Sequence, residues 1–292
     1  MNTKVLERVS NYLGLVRFAH TIFALPFACM SALVAAEGLP SWRVCWWILF
    51  CMVSARTSAM TFNRIADRDI DRLNPRTQDR HIPTGKVRLS EAWGLWIVSS
   101  LLFIWGAWQL NSLAFLLSPL ALLIVCAYSF FKRFSALAHF VLGLALGIAP
   151  VGAWIAVTGE WAAEPFVLTI GVLFWVAGFD IIYALMDEEF DRRMGLHSIV
   201  VRFGKKHALR IAFLSHRLSI IFIAIFGLMT SLSWLYLVGV IGFAGLIIYE
   251  HSLVRPDDLS RVNIAFFNVN GIISIGLFLF TILDILIPPM FQ

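Results

Sequence analysis

Charge is scarce in this chain. Only 14% of its 292 residues are Asp, Glu, Lys or Arg, while 60% are hydrophobic. Soluble domains carry about a quarter charged residues, so an ordinary soluble fold is excluded. Cysteine is also sparse: Cys29, Cys45, Cys51 and Cys126 all lie within apolar runs. They read as small buried hydrophobes, which excludes a disulfide framework or a zinc site. No cleavable signal peptide is expected, because Lys4, Glu7 and Arg8 lead into a segment too long for such a leader. The net charge of +5 does not point to nucleic acid, since the basic residues sit in short loops between apolar runs.

What is abundant is long apolar sequence. A bilayer core of about 30 Å needs roughly 20 apolar residues per helix. Nine runs qualify, at about 14–36, 43–65, 91–109, 112–131, 135–157, 164–187, 207–229, 232–250 and 263–288. The short turn Gln109-Leu110-Asn111-Ser112 leaves a count of eight open. The expectation is an all-α membrane protein, a bundle of about nine transmembrane helices forming one polytopic domain over 1–292. Its pseudo-repeat halves run about 14–131 and 135–250, with a final helix at 263–288.

Loop charge sets the orientation. Lys4 and Arg8 precede the first run, and Arg64, Arg68, Arg72, Arg76, Arg80, Lys86 and Arg88 follow the second. Lys132 and Arg133 follow the fourth, Arg192 to Arg210 the sixth, and Arg255 and Arg261 the eighth. On the opposite face only Arg43 lies in a connection. Positive charge stays inside, so the chain is expected in the cell inner (plasma) membrane with this face toward the cytoplasm.

On that face stand two acidic motifs, Asn63, Asp67 and Asp71 in NRIADRDID, and Asp180, Tyr183, Asp187 and Asp191 in DIIYALMDEEFD. Residues four apart share a helix face, so each motif is expected to form one polar stripe. Asp69, Glu188 and Glu189 point elsewhere and are expected to be solvated. Opposed, the two stripes would repel unless cations joined them. Oxygen donors in this number suit Mg²⁺, which binds through one or two carboxylates plus substrate phosphate and water. No His or Cys at ligand spacing supports zinc. A Mg²⁺ cluster ringed by Arg and Lys is a device for holding a diphosphate. Lys132, Arg133, Arg64, Arg72 and Arg76 are candidate phosphate contacts. The competing structural reading, two solvated helix ends, explains either motif alone better than both together.

These residues resemble those of the UbiA superfamily of intramembrane aromatic prenyltransferases. The resemblance is carried by Asn63-x-x-x-Asp67-x-x-x-Asp71 continuing through Asn74, Pro75, Arg76, Thr77, Arg80, Pro83 and Gly85. It is carried equally by Asp180-x-x-Tyr183-x-x-x-Asp187-x-x-x-Asp191, continuing through Gly195, Ser198, Arg202, Phe203 and Gly204. Tyr128, Ser129, Phe130, Phe131, Lys132, Arg133, Leu142 and Gly143 resemble the family's central segment. Arg17, His20, Phe23, Leu25, Pro26 and Phe27 resemble its first helix. Many members carry Asp directly after the first-motif Asn, where this chain has Arg64.

The resemblance implies a nine-helix bundle with a central cavity capped by cytoplasmic loops. It implies Mg²⁺-dependent transfer of a polyprenyl group from polyprenyl diphosphate to an aromatic acid, 4-hydroxybenzoate by default, in ubiquinone or menaquinone synthesis. Prenylation of a dihydroxynaphthoate is the alternative. Asn63, Asp67, Asp71, Asp187 and Asp191 would hold the metals, and Lys132 and Arg133 the diphosphate. A membrane transporter is the alternative of a different class, but it predicts acids near the midplane and inverted repeats.

Several residues carry two readings. Arg17 either binds the acceptor's carboxylate or snorkels to the interface. Asp180 and Tyr183 either position the acceptor or accept its proton, or bond helix to helix. Tyr128 belongs with the acceptor group through the central segment. Asn263 and Asn270 share a face and are expected to line the cavity. Arg56, Arg217, His20 and His139 are expected to pair or pack, and Asp284 to be interfacial. Prenyl chain length and oligomeric state are not encoded in any of these patterns.

Overall fold

The computed structural model describes residues 12, 14–16 and 23–287; Arg17 and His20 lie outside the described residues. Among the described residues the chain is helical, with an isolated bridge between Arg255 and Asp258 as its one strand-like pairing. Eight of these helices are long and apolar enough to cross a membrane. Part of the first expected span, 14–36, is seen as α1, Leu25–Ala35. The remaining helices are α2 (Trp42–Ala66), α3 (Arg68–Leu73), α4 (Leu89–Leu110), α5 (Ser112–Phe131), α6 (Ala138–Thr158) and α7 (Glu164–Ala184). A 3₁₀ turn, Leu185–Asp187, leads to α8 (Glu188–Arg193), then α9 (Ile199–Met229) and α10 (Trp234–Ser252). A π-helical segment, Ile264–Val269, opens α11 (Asn270–Leu286).

Local chemistry explains the breaks. Glu91 accepts from the Arg88 N–H at 2.9 Å, closing the start of α4. Asn111 is fully extended, and its Oδ1 accepts from the Ala114 N–H at 2.9 Å, so a single residue separates α4 from α5. The turn that left the span count open is therefore a true helix boundary.

The chain divides into two compact units, Met1–Thr21 with Cys45–Phe130, and Ile22–Val44 with Phe131–Gln292. In the first unit α2 meets α4 and α5. Ser58 and Ser100 share a hydrogen bond of 2.8 Å, and Asn63 Nδ2 donates to Ser129 Oγ at 3.3 Å. Phe62 lies edge-on to Trp93 and Phe130. In lipid such polar and close contacts replace the hydrophobic effect as the glue between helices.

The second unit is built around α7. Trp175, Val176, Ala177, Phe179, Ile181 and Ile182 are buried among α1, α6 and α9. Two glycines set the closest approach. A Cβ on Gly143 would sit 2.3 Å from the Leu173 carbonyl oxygen, and one on Gly147 2.9 Å from that of Thr169. Thr169 Oγ1 returns a 2.6 Å bond to the Gly147 carbonyl. This is the small-residue spacing that lets membrane helices touch backbone to backbone. At the far end, Asp284 accepts from the Ser233 N–H at 2.8 Å and the Tyr236 N–H at 3.0 Å, tying α11 to the start of α10.

Helix α9 is capped at Ser198, which accepts from the Val201 N–H, and breaks at Gly204, whose φ of 76° suits glycine. The part beyond that break is the span expected at about 207–229. One expectation is corrected, in the π segment, whose wider turns rotate the helix face. Asn263 is exposed while Asn270 is fully buried, so the two do not share a face.

Candidate functional site

Both acidic motifs fall where a spanning helix gives way to a six-residue helix. At the end of α2, Asp67 has φ −90° and ψ 4°. After α7, Asp187 has φ −101° and ψ 0°. Each thus sits in the sparsely used region near ψ 0°, where turns and active-site residues collect. The helices that follow, α3 and α8, each carry the motif's second aspartate, Asp71 and Asp191, at their fourth position. The hydrogen-bond ladder continues through the first junction, with Asp67 N–H on Asn63 O and Asp71 N–H on Asp67 O. The stripe of residues four apart therefore survives the change of helix.

In the first unit the stripe is buried: Asp67 is 2% exposed and Asp71 3%. Asn63 Nδ2 donates to Asp67 Oδ2 at 3.1 Å. Arg80 Nη1 donates to both oxygens of Asp71, at 2.7 and 2.8 Å. A hydrogen bond from Thr77 Oγ1 to the Asp71 carbonyl steadies the intervening loop. Arg64, a candidate phosphate contact, is buried beside Asn63 like the aspartates of the stripe, while Arg72 and Arg76 are exposed. Tyr128, on α5, is half-buried.

In the second unit Asp187 and Asp191 are half-buried. Glu188 pairs with Arg192 at 3.0 Å, and Glu189 is exposed toward Arg193, so neither belongs to the stripe. Lys132 is half-buried and its carbonyl accepts from the His197 N–H at 2.7 Å, joining the end of α5 to the loop before α9. Arg133 is exposed. Tyr183 stacks on Phe266 with ring centroids 4.2 Å apart, and Phe266 lies edge-on to Phe179 and Phe23. Asp180 accepts a 2.7 Å hydrogen bond from His139 across α6 and α7.

Asn270 departs from its expected place on the acceptor side. It is 0% exposed, and its Nδ2 donates to Glu250 Oε1 at 2.9 Å and to the Ala265 carbonyl at 3.0 Å. It closes the π segment rather than lining an accessible wall. Sequence reasoning also left out Arg80 as a partner of Asp71, although its place in the loop motif was the available signal. Ser129 and His139 offered no such signal, since their partners are distant in sequence.

The donors in both motifs are carboxylates and one carboxamide, hard oxygen ligands with no thiolate or imidazole among them. That set fits Mg²⁺ better than zinc. Among the described residues no three His, Cys, Asp or Glu side chains form a ready metal cage. A cation held here would draw the rest of its shell from water or substrate oxygen, as Mg²⁺ commonly does.

Known proteins share the sequence and the fold of this chain. The profile of the UbiA prenyltransferase family matches residues 24–272. A relative from Cupriavidus necator named 4-hydroxybenzoate octaprenyltransferase is 29% identical over 265 residues, covering 90% of this chain and 93% of its own. One of the same name from Vibrio campbellii is 30% identical over 279 residues, covering 93% and 97%. The apo structure of a UbiA homolog from Aeropyrum pernix K1 superposes with a TM-score of 0.83 at 35% identity, over 91% of this chain and 98% of that one. A UbiA homolog from Archaeoglobus fulgidus, bound to GPP and Mg²⁺, shares the fold at a TM-score of 0.73 and 24% identity, over 95% and 100%. The family match spans both aspartate junctions and the helices that carry them, and this multi-pass membrane protein belongs to the UbiA prenyltransferase family.

Proposed function

We propose that this chain transfers a polyprenyl group from polyprenyl diphosphate to an aromatic acid of the 4-hydroxybenzoate type, in quinone biosynthesis. The observation that carries the reading is the repeated aspartate junction, two D-x-x-x-D pairs in one backbone setting. The relatives named 4-hydroxybenzoate octaprenyltransferase support the acceptor class. The Archaeoglobus homolog bound to GPP and Mg²⁺ supports the donor class and the metal.

Asn63, Asp67, Asp71, Asp187 and Asp191 are assigned to Mg²⁺, which when bound supplies positive charge against a departing diphosphate. Asp71 accepts from Arg80 through one lone pair on each oxygen and keeps the other lone pairs for a cation. Lys132, Arg133, Arg72 and Arg76 offer cationic donors to phosphate oxygens; Arg64 supports Asn63 from its buried position. Ionisation of the allylic C–O bond leaves a carbocation that only a dry, apolar surround protects from water. The aromatic cluster of Phe23, Phe179, Tyr183 and Phe266 offers ring faces of the kind that stabilise such a cation. The ring carbon of the acceptor attacks, and its proton is lost to restore aromaticity. Asp180 is assigned to receive that proton, with Tyr183, Tyr128 and Arg17 positioning the acceptor.

Positive-inside loops support a cytoplasmic active face in the inner membrane. The test is turnover of purified protein with Mg²⁺, one labelled polyprenyl diphosphate, and 4-hydroxybenzoate or 1,4-dihydroxy-2-naphthoate in parallel. Prenylated 4-hydroxybenzoate is the expected product. Product from the naphthoate alone moves the acceptor to menaquinone chemistry, and turnover of neither removes the aromatic-acid reading.

A further inference from the structure

A buried relay lies behind Asp180. His139 stands in the first turn of α6 and is 4% exposed. Its Nε2 accepts from the backbone N–H of Ile199 at 3.4 Å, and its Nδ1 lies 2.7 Å from Asp180 Oδ2. A ring nitrogen that accepts carries no proton, so in a neutral imidazole the proton is on Nδ1. The direction of the chain follows: Ile199 N–H to His139, and His139 Nδ1–H to the Asp180 carboxylate. Ile199 is the first residue of α9, after its Ser198 cap. Its amide belongs to the positive end of that helix dipole, which polarises the imidazole and strengthens its donation to an anion.

The setting of Asp180 argues that this is more than helix glue. From Trp175 to Ile182 every residue is buried except Asp180, whose side chain is 24% exposed. One carboxylate oxygen is held by His139, and no other partner among the described residues holds the second. A carboxylate meant only to join α6 to α7 would be enclosed like the glycine contacts beside it. Gly143 and Gly147, four and eight residues after His139, bring α6 against α7 and so fix the reach of the imidazole.

We propose that His139 is a positioning residue that holds the Asp180 carboxylate in one rotamer, with the outer oxygen presented to the aromatic acceptor. The inference rests on the role given to Asp180 above. When the new C–C bond has formed and the diphosphate C–O bond has broken, the ring C–H electron pair returns to the ring. The proton passes to the free Asp180 oxygen. His139 keeps its own proton throughout and touches no substrate.

The test is steady-state kinetics on His139→Phe, His139→Asn, Asp180→Asn and the double variant His139→Phe with Asp180→Asn. Asparagine places an N–H where Nδ1 was, and phenylalanine fills the space without a donor. We expect His139→Phe to lower kcat about 10–100-fold, the usual cost of losing an orienting partner. KM for prenyl diphosphate should stay within about twofold, since the donor site is untouched. His139→Asn should recover most of the loss, and the double variant should be no slower than Asp180→Asn alone. Multiplying defects, or an asparagine variant as slow as the phenylalanine one, would overturn the proposal.

A second readout needs no turnover. In protein labelled with ¹⁵N-histidine, His139 should show the Nδ1–H tautomer, identified by its loss in His139→Phe and shifted in Asp180→Asn. The Nε2–H tautomer, or a signal indifferent to Asp180→Asn, also overturns it. If wild-type protein turns over no aromatic acceptor, the functional reading fails on that result alone. The tautomer measurement still decides the pair.

Discussion

Asp67 and Asp187, about 120 residues apart, occupy the same backbone setting: each ends its run with ψ near 0° and leads a six-residue helix whose fourth residue is a second aspartate. A solvated helix end has no reason to repeat that geometry. The proposed pair of ligand sets does, because each junction keeps a second carboxylate four residues after the first.

Replacing either junction aspartate should therefore remove turnover without removing the fold. Asp67→Asn and Asp187→Asn are each expected to lower kcat at least about 100-fold and to raise the Mg²⁺ concentration needed for half activity. Melting temperature in detergent should move little, since Asn preserves shape and the turn. Mg²⁺ titrations of prenyl transfer beside thermal melts check this, and wild-type activity in both variants would sink the metal assignment.

Arg80 and Asp71 make a different prediction, because that pair is buried. Arg80→Met leaves Asp71 an uncompensated buried charge, at a cost of about 3 kcal/mol, so its melting temperature should fall clearly. Adding Asp71→Asn removes the stranded charge and should restore most of that stability. Activity should not return with it, because a proposed ligand has gone. Recovery of both together would make Asp71 a purely structural residue.

What could be read from the sequence here was whatever repeats or runs locally. Apolar length gave the spans, and spacing by four singled out the two acidic motifs, while the turn at Gln109 to Ser112 stayed open until Asn111 was seen to be extended. What escaped was whatever depends on partners far along the chain or on a change of helical pitch. The His139–Asp180 bond spans 41 residues and the placement of Asn270 depends on a π segment that no periodicity announces. Arg64 groups in sequence with the basic loop after the second run, yet it lies in the last turn of α2 and is buried.

The α6–α7 contact can be tested by two glycines on one helix. A Cβ at Gly143 meets the Leu173 carbonyl at 2.3 Å, and a backbone atom cannot swing aside. At Gly152 a Cβ meets nothing within 4 Å. Gly143→Ala should destabilise by about 1–3 kcal/mol as the helices separate, and should slow turnover through the His139–Asp180 reach. Gly152→Ala should be neutral or gain up to about 1 kcal/mol of helix propensity. Melts and rates of the two variants side by side give the answer, and equal behaviour would contradict the close packing.

Glu250 and Asn270 are both 0% exposed, and the amide of Asn270 is the hydrogen-bond donor holding the carboxylate. His216 Nδ1 lies 3.9 Å from the other carboxylate oxygen and is itself bonded to His251 at 2.9 Å. Removing the donor leaves a buried carboxyl group unsatisfied, whereas exchanging that group for an amide does not. Asn270→Ala is thus expected to cost about 2 kcal/mol, while Glu250→Gln, which keeps an oxygen for Asn270, should be neutral or stabilising. Because Asn270 reaches no accessible surface, KM for the aromatic acceptor should be unchanged in whatever fraction of Asn270→Ala folds. A raised acceptor KM at normal stability would return Asn270 to the acceptor wall.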